Sequence, residues 1–149
     1  MKMSFKVTFA TKWSDFDPNR HMRHTAYNEY AAEVRVRYFA KHNFSMAAFT
    51  KYNLGPILFT EETSFLKEIH VGENITVNIK LQGVSKNNER WRIVHEVFNE
   101  AGKLSAIIKV YGAWMDLSKR KLCVPPKTTK EMFEFAEKTP DFETIYLKK

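Results

Sequence analysis

Residues 25–42 read TAYNEYAAEVRVRYFAKH, and this segment decides the architecture of the chain. Its apolar side chains recur at helical spacing along one face, while charged side chains fall elsewhere. The expected buried face consists of Tyr27, Tyr30, Ala31, Val34 and Tyr38. Thr25 is the expected N-cap. Basic side chains suit the negative end of the helix dipole, and the last part of this segment contains Arg35, Arg37, Lys41 and His42. We therefore predict one long central helix over residues 25–42.

Segments on both sides of this helix have the pattern of β-strands. Residues 5–11 alternate apolar and polar side chains, which predicts a half-buried first strand. After the long helix, the sequence predicts a short helix at residues 45–52 and then four strands, at residues 57–69, 74–84, 90–99 and 104–117. The turns between these strands are short, which predicts an antiparallel meander. We expect an α+β fold in which a five-stranded antiparallel sheet buries one face against the long helix.

The length and punctuation of the chain indicate one domain with an extension. The chain has 149 residues, which is the length of a single domain. We interpret residues 1–124 as one unit and residues 125–149 as a C-terminal extension that begins at two prolines. A short helix is predicted over residues 130–138 from apolar Met132, Phe133, Phe135 and Ala136.

The composition excludes several classes of protein. Hydrophobic residues make up 44% and charged residues 28% of the chain, which excludes a disordered protein. The single cysteine, Cys123, excludes an intrachain disulfide and suits a cytoplasmic location. We find neither a signal segment nor a membrane-spanning run. The net charge of +7 favours an anionic partner, but no basic-aromatic motif for nucleic acid is present.

The loop before the long helix has the densest cluster of reactive side chains. Residues 15–24 read DFDPNRHMRH and contain two carboxylates and two imidazoles, which can donate and accept protons near neutral pH. Backbone N–H groups at the start of a helix can also hold a developing anion. The alternative interpretation is that Asp15 and Asp17 only cap the helix or hold the loop, because aspartate is also a good turn residue. A metal site at His21 and His24 is not expected, because the spacing is not that of a helical pair and a third ligand is not evident.

The order of these residues resembles a known family. Trp13-Ser14-Asp15-Phe16-Asp17-Pro18, followed by His21-Met22, His24, Tyr27 and Tyr30, is similar to the signature of hotdog-fold thioesterases of the 4-hydroxybenzoyl-CoA thioesterase type. Residues 60–73, 99–104 and 110–121 resemble later segments of that family in order and spacing. The resemblance covers residues 5–124. It implies a hotdog fold, in which the sheet wraps around the central helix.

The resemblance also implies an activity and the residues that carry it. The implied reaction is hydrolysis of an acyl-CoA, with Asp17 as base or nucleophile and a backbone N–H near His24 as oxyanion donor; His24 itself is either an acid or a positioning group. Asp15 is expected to be structural, and Glu61 and Glu62 are rival bases. Arg20 departs from the family, in which many members carry glycine there. Substrate contacts are expected from His21, Tyr27, Glu62, Lys86 and Arg90. No cofactor or metal is implied, because coenzyme A is part of the substrate.

The implied partners are a substrate and further copies of the chain. Family resemblance implies that two subunits pair edge to edge, with the site at their interface, and that the assembly is a homodimer or homotetramer. It also implies a role in lipid metabolism. Basic residues such as Arg92 and Lys119 to Lys121 are candidates to bind the phosphates of coenzyme A. Two alternatives remain open. One is hydrolysis of acyl chains on an acidic acyl carrier protein, and the other is an acyl-CoA-binding module without catalysis.

Overall fold

The computed structural model describes residues 4–148, in which each helix and strand predicted above is present with ends shifted by at most four residues. Short 3₁₀ turns precede the first and third helices, at Trp13–Asp15 and Lys127–Thr129. The elements in chain order are β1 (Phe5–Phe9), α1 (His24–Lys41), α2 (Met46–Tyr52), β2 (Leu54–Phe65), β3 (Ile75–Ser85), β4 (Arg90–Phe98), β5 (Leu104–Asp116), β6 (Lys121–Leu122), α3 (Lys130–Glu134) and β7 (Lys138–Ile145).

The main strands lie in the order β1-β3-β4-β5-β2, and neighbours are antiparallel. The prediction of a four-strand meander is therefore wrong for β2, which pairs with β5 and not with β3. The connection at residues 66–74 explains the difference. It pairs with the loop before α1, where the N–H of Met22 donates to the carbonyl of Ile69 at 2.9 Å. This pairing leads the chain away from β2 before β3 begins.

Two strands were not predicted, and they bring the sheet to seven strands in the described part of the chain. β6 is a two-residue strand that pairs with the end of β5. β7 runs parallel to β3 and pairs with Leu81 and Gly83 to Ser85 of β3, beyond the point at Ile79 where β1 stops. β7 contains Pro140, whose ring removes a backbone donor, so its sequence is typical of a loop.

The buried face of α1 follows the predicted helical spacing. Tyr27, Ala31, Val34 and Tyr38 are buried, and the helix packs against β1, β3 and β5. The predicted N-cap is wrong, because Arg23 precedes the first helical residue and no side chain caps it. Two of the four basic residues assigned to the second half of this helix are buried. They are Arg35, which faces β4, and His42, which packs between the rings of Tyr38 and Phe135.

The extension is packed into the same hydrophobic core as the rest of the chain. Met132, Phe133 and Ala136 are buried within that core, and the hydroxyl of Tyr38 donates to the carbonyl of Met132 at 2.6 Å. The third helix ends at Glu134, and so it is shorter than predicted. No helix within residues 4–148 combines the length and apolar character that a bilayer crossing requires.

Candidate active site

A tight turn at residues 17–21 holds the carboxylate of Asp17. The N–H of Arg20 donates to the carbonyl of Asp17, and the N–H of Asp17 donates to the carbonyl of His21, both at 2.9 Å. The side chain closes the turn as well, because its Oδ1 accepts from the N–H of Asn19 at 2.9 Å and from the N–H of His21 at 3.3 Å. Oδ2 has no hydrogen bond to the residues that the structure describes. The turn thus fixes one carboxylate oxygen and leaves the other available.

Arg20 occupies a position in this turn that favours glycine. Its φ is 66°, in the left-handed region where a Cβ is strained. Arg20 is the last residue of the turn at residues 17–20, and a left-handed residue at that position is a common way to close a short antiparallel loop. Phe16 and Met22 pair across the base of this loop. The chain therefore keeps the path that a glycine would allow, although the residue is arginine.

Asp15 is a structural carboxylate. It is fully buried, and it accepts hydrogen bonds from the N–H and the ammonium of Lys12, at 3.0 and 2.9 Å, and from the hydroxyl of Tyr30. Burial alone would raise the pKa of Asp15, but the bonds from Tyr30 and Lys12 outweigh burial and lower it. Burial and the bond to Asp15 raise the pKa of Tyr30, so its hydroxyl stays protonated as the donor. Asp15 thus anchors the loop to α1.

The start of α1 offers unpaired backbone donors. The helix begins at His24, and the N–H groups of a first helical turn have no carbonyl four residues earlier. The N–H of Ala26 bonds to the carbonyl of Arg23 at 3.0 Å, but those of His24 and Thr25 bond to no described residue. The ring of His24 is exposed and makes no hydrogen bond within residues 4–148. The helix dipole adds a partial positive charge, so an anion is stabilised here.

Tyr27 and His21 lie beside Asp17. Tyr27 is buried, and its ring meets that of Phe65 edge to face with centroids 5.2 Å apart. Burial raises the pKa of Tyr27, and the nearby negative charges of Asp17, Glu68 and Glu73 raise it further. The Nε2 of His21 lies 3.1 Å from a carboxylate oxygen of Glu68. His21 therefore holds Asp17 through its backbone, while its side chain contacts Glu68.

The other predicted contact residues lie elsewhere on the chain. β3 starts next to the end of β1 at Ile75, and Ser85 at its other end is ten residues further along, about 33 Å at the usual rise of a strand. Lys86 follows Ser85 and lines a groove of about 560 Å³ together with Lys127 and Lys130. Arg90 begins β4 at the same end of the sheet. Within one chain these two cations are therefore far from Asp17.

The remaining predicted residue, Glu62, is exposed on β2, where it lies opposite Lys109. Arg90 donates to the hydroxyl of Tyr111 at 3.0 Å and lies over the ring of Phe59, 5.1 Å from its centroid. Phe59 belongs to β2 as well. β2 therefore contributes the exposed carboxylate of Glu62 and, three residues earlier, the ring of Phe59 that contacts Arg90.

Sequence reasoning missed two contacts between α1 and the sheet. Arg35 Nη1 lies 3.0 Å from His95 Nε2 in the interior. Arg35 is four residues after Ala31 on the buried face, and a charged residue at such a position was the available signal. The hydroxyl of Thr63 donates to the side-chain carbonyl of Asn28 at 2.9 Å, which ties β2 to α1. No sequence pattern indicates the Thr63–Asn28 pair.

A comparison with family models assigns the chain. Residues 11–133 match the model of the thioesterase-like superfamily, a range that includes the turn at Asp17, α1 and the four strands from β2 to β5. The chain belongs to the thioesterase-like superfamily. This membership places it among thioester hydrolases. A comparison with curated proteins found no match.

Solved structures, two of them named as thioesterases, have the same fold as this superfamily member. A Staphylococcus aureus protein in complex with CoA has a TM-score of 0.85 at 20% identity, over 93% of this chain and 89% of that chain. The 1,4-dihydroxy-2-naphthoyl-CoA thioesterase from Synechocystis has a TM-score of 0.77 at 15% identity, over 88% and 96%. A gentisyl-coenzyme A thioesterase has a TM-score of 0.76 at 12% identity, over 87% and 99%. The predicted α+β hotdog fold is confirmed.

Proposed function

We propose that this protein hydrolyses the thioester of an acyl-CoA to a free acid and CoA, with Asp17 as the catalytic carboxylate. One observation carries the proposal: a carboxylate fixed through a single oxygen lies in the loop that leads into a helix start with unpaired N–H groups. Acyl transfer needs a base or nucleophile and a donor for the oxyanion. The superfamily and the CoA complex of the Staphylococcus aureus relative support CoA as the carrier.

In the general-base route, Asp17 Oδ2 takes a proton from water as the water oxygen attacks the thioester carbon. The carbonyl oxygen becomes an oxyanion, which the N–H groups of His24 and Thr25 stabilise. Loss of one oxyanion donor costs about 2.7–4 kcal/mol in enzymes where it has been measured. The tetrahedral intermediate then collapses with cleavage of the C–S bond, and the leaving thiolate takes up a proton.

In the nucleophilic route, Asp17 attacks the thioester carbon itself. The C–S bond then breaks, the CoA thiolate leaves and takes up a proton, and the acyl group remains on Asp17 as a mixed anhydride, which water hydrolyses. The resemblance to 4-hydroxybenzoyl-CoA thioesterases implies a catalytic carboxylate at Asp17 and is compatible with either route. Rapid acid quenching followed by mass spectrometry distinguishes the two, because an acyl group accumulates on the protein only in the nucleophilic route.

We propose further that the site is completed by a second copy of the chain. β2 is a terminal strand of the sheet, and it has exposed apolar side chains at Leu58, Phe59 and Phe65. An edge of this kind pairs with another strand unless it is covered. Antiparallel pairing of two β2 strands would bring the Leu54 end of one next to the Phe65 end of the other. The cations Lys86 and Arg90 of one subunit would then approach Asp17 of its partner.

The test is thiol release from a panel of acyl-CoAs, from acetyl to palmitoyl with benzoyl members, using the native protein and Asp17→Asn. Asparagine keeps an Oδ1 that accepts from the N–H groups of Asn19 and His21, so this variant removes the charge and preserves the turn. We expect kcat to fall by about 10²–10⁴-fold, as for loss of a general base. Glu61→Gln and Glu62→Gln serve as matched controls and test the rival bases.

Full turnover by Asp17→Asn, or a comparable loss in Glu61→Gln or Glu62→Gln, would contradict the role of Asp17. No turnover of any acyl-CoA by the native protein would favour one of the two other functions. The net charge of +7 favours an acidic acyl carrier protein, and that function predicts turnover that weakens with salt. Tight binding of acyl-CoA without hydrolysis at any pH would indicate a binding module.

A further inference from the structure

Two histidines and a glutamate meet on the surface next to the turn at residues 17–21. The donor atoms of His21, Glu68 and His70 all lie within 4.8 Å of one another, and this is the one such group in the part of the chain that the structure describes. His21 Nε2 already lies 3.1 Å from Glu68 Oε2. The rings of His21 and His70 are 5.4 Å apart, and their planes are inclined by 64°. The three donor atoms therefore lie close enough together to share one metal ion.

Backbone pairing holds the two histidines in these positions. His21 and His70 lie opposite each other in an antiparallel bridge, which places their side chains on the same face. The neighbouring residues of the bridge, Met22 and Ile69, are buried and hydrogen bonded. Beyond the bridge, the N–H of His70 donates to a carboxylate oxygen of Glu73 at 2.7 Å. The positions of the two Cβ atoms are thus set by the fold, and only the exposed side-chain ends have to adjust.

The donor set is that of a zinc-type ion. Imidazole nitrogen and carboxylate oxygen both bind zinc, at about 2.0–2.2 Å, and two histidines with one glutamate are a common three-ligand set. In a tetrahedral site the ligands are about 3.3 Å apart, so the tips of the side chains need to move by about 1.5 Å. Glu68 and His70 are exposed, so their side chains have room to rotate by this amount.

The local charge favours a cation, although the chain as a whole is basic. Asp17, Glu68 and Glu73 are close enough to Tyr27 for their negative charges to act on its hydroxyl. A divalent cation bound by His21 and Glu68 would lie within this acidic cluster. Calcium and magnesium prefer oxygen ligands, so the two imidazoles select against them.

We propose that His21, Glu68 and His70 bind a divalent transition metal ion of the zinc type, with a water molecule as the fourth ligand. In the sequence His21 lies near His24, a pair for which no metal is expected, whereas the fold places His21 opposite His70. A bound ion links the turn at residues 17–21 to the connection at residues 66–74. It therefore holds both segments in the folded state, and it does so independently of thioester hydrolysis.

The test uses untagged protein stripped with a chelator, and Zn²⁺ or Co²⁺ alone as the probe. Isothermal titration with Zn²⁺ is expected to give one equivalent, with binding weakened on the order of tenfold or more in His21→Gln, Glu68→Gln and His70→Gln. His24→Gln removes an exposed histidine three residues away and is expected to bind Zn²⁺ like the native protein. Visible absorption of Co²⁺ of the intensity typical of tetrahedral sites is expected from native protein and absent from His70→Gln.

Thermal unfolding provides a second measurement of Zn²⁺ binding, which is independent of the titration. A ligand that binds the folded state raises the unfolding midpoint, so Zn²⁺ is expected to raise it in the native protein and not in His70→Gln. Three results would overturn the proposal. They are no saturable binding of Zn²⁺ by the native protein, binding of Zn²⁺ by the three ligand variants that is as tight as that by the native protein, and an affinity of the native protein for Mg²⁺ that matches its affinity for Zn²⁺.

Discussion

The guanidinium of Arg35 donates a hydrogen bond to Nε2 of His95, 3.0 Å away, between α1 and β4. The direction follows from the other ring nitrogen: Nδ1 lies 2.7 Å from the carbonyl of Asn78, which only accepts. His95 is therefore neutral, with its proton on Nδ1. Burial and the positive charge of Arg35 lower the pKa of His95 to about 3.

This pair predicts a loss of stability in mild acid. Between pH 6.5 and about pH 3, His95 takes up a proton in the unfolded chain but not in the folded one, so the free energy of unfolding falls as the pH falls. The contribution is at most about 1.4 kcal/mol per pH unit. Glutamine can accept from Arg35 and donate to Asn78 without titrating. We expect His95→Gln to lose less stability than the native protein when urea unfolding is compared at pH 6.5, 5.5 and 4.5.

The exposed His24 provides the control for that measurement. His24→Gln is expected to keep the pH dependence of the native protein, because this side chain has no partner within residues 4–148 to lose. Parallel stability curves for His95→Gln and the native protein would mean that His95 is charged in the fold.

Asp15 and Asp17 are two residues apart, and we expect asparagine to lower the stability of the protein at Asp15 and its turnover at Asp17. Asp15→Asn weakens charge-assisted bonds from Lys12 and Tyr30 in a buried place, which costs about 1–3 kcal/mol of stability. Its kcat per folded molecule is expected to stay near the native value. Asp17→Asn loses turnover and keeps its stability. Urea unfolding and thiol release on both variants check this, and a loss of turnover in Asp15→Asn without a loss of stability would contradict it.

The left-handed conformation at Arg20 predicts an order of stabilities. Glycine relieves the strain of φ 66° but has more freedom in the unfolded chain, so Arg20→Gly is expected to gain about 0.5–1 kcal/mol. Arg20→Asn is expected to lie near the native protein, and the β-branched Arg20→Val to be less stable. Thermal unfolding midpoints should follow that order. A valine variant as stable as the glycine variant would be inconsistent with this backbone conformation.

The proposed pairing of β2 strands predicts that charges on this edge separate the subunits. Leu58 and Leu66 are about half exposed, and Leu58→Asp with Leu66→Asp would place carboxylates along the paired edge. We expect light scattering after size exclusion to give a dimer or larger for the native protein and a monomer for the double variant. Met46 is 64% exposed on α2, so Met46→Asp is the matched control and should stay assembled. A native monomer would exclude the pairing.

The elements of the fold could be predicted from sequence because their patterns are local. The periods of α1 and of the main strands repeat within a few residues, and each element is present. Strand order could not be predicted, because it depends on where the connection at residues 66–74 packs. β7 was missed for a similar reason: its strand character comes from β3, which lies more than 50 residues earlier, and not from its own proline-containing sequence.

The proximity of some proposed site residues could be predicted for the same physical reason. Asp17, His21 and Tyr27 follow each other along a short stretch, and the fold keeps them together. The partners of His21 are Glu68 and His70, and nothing in the sequence around His21 indicates contacts with residues so far along the chain. The proposed roles of Lys86 and Arg90 require the proposed second copy of the chain, and a single sequence carries no pattern for such a pairing.

The two borders of the sheet differ, and this difference limits how copies of the chain can associate. One border is β2, a continuous strand of 12 residues. The other is divided between β1, which runs antiparallel to β3, and β7, which runs parallel to it and contains Pro140 and Asp141. Chains that can join at only one border form a closed twofold pair, whereas chains that join at both polymerise. β7 covers the second half of β3, so we expect removal of residues 138–145 to leave an unpaired strand edge at which further copies of the chain could add.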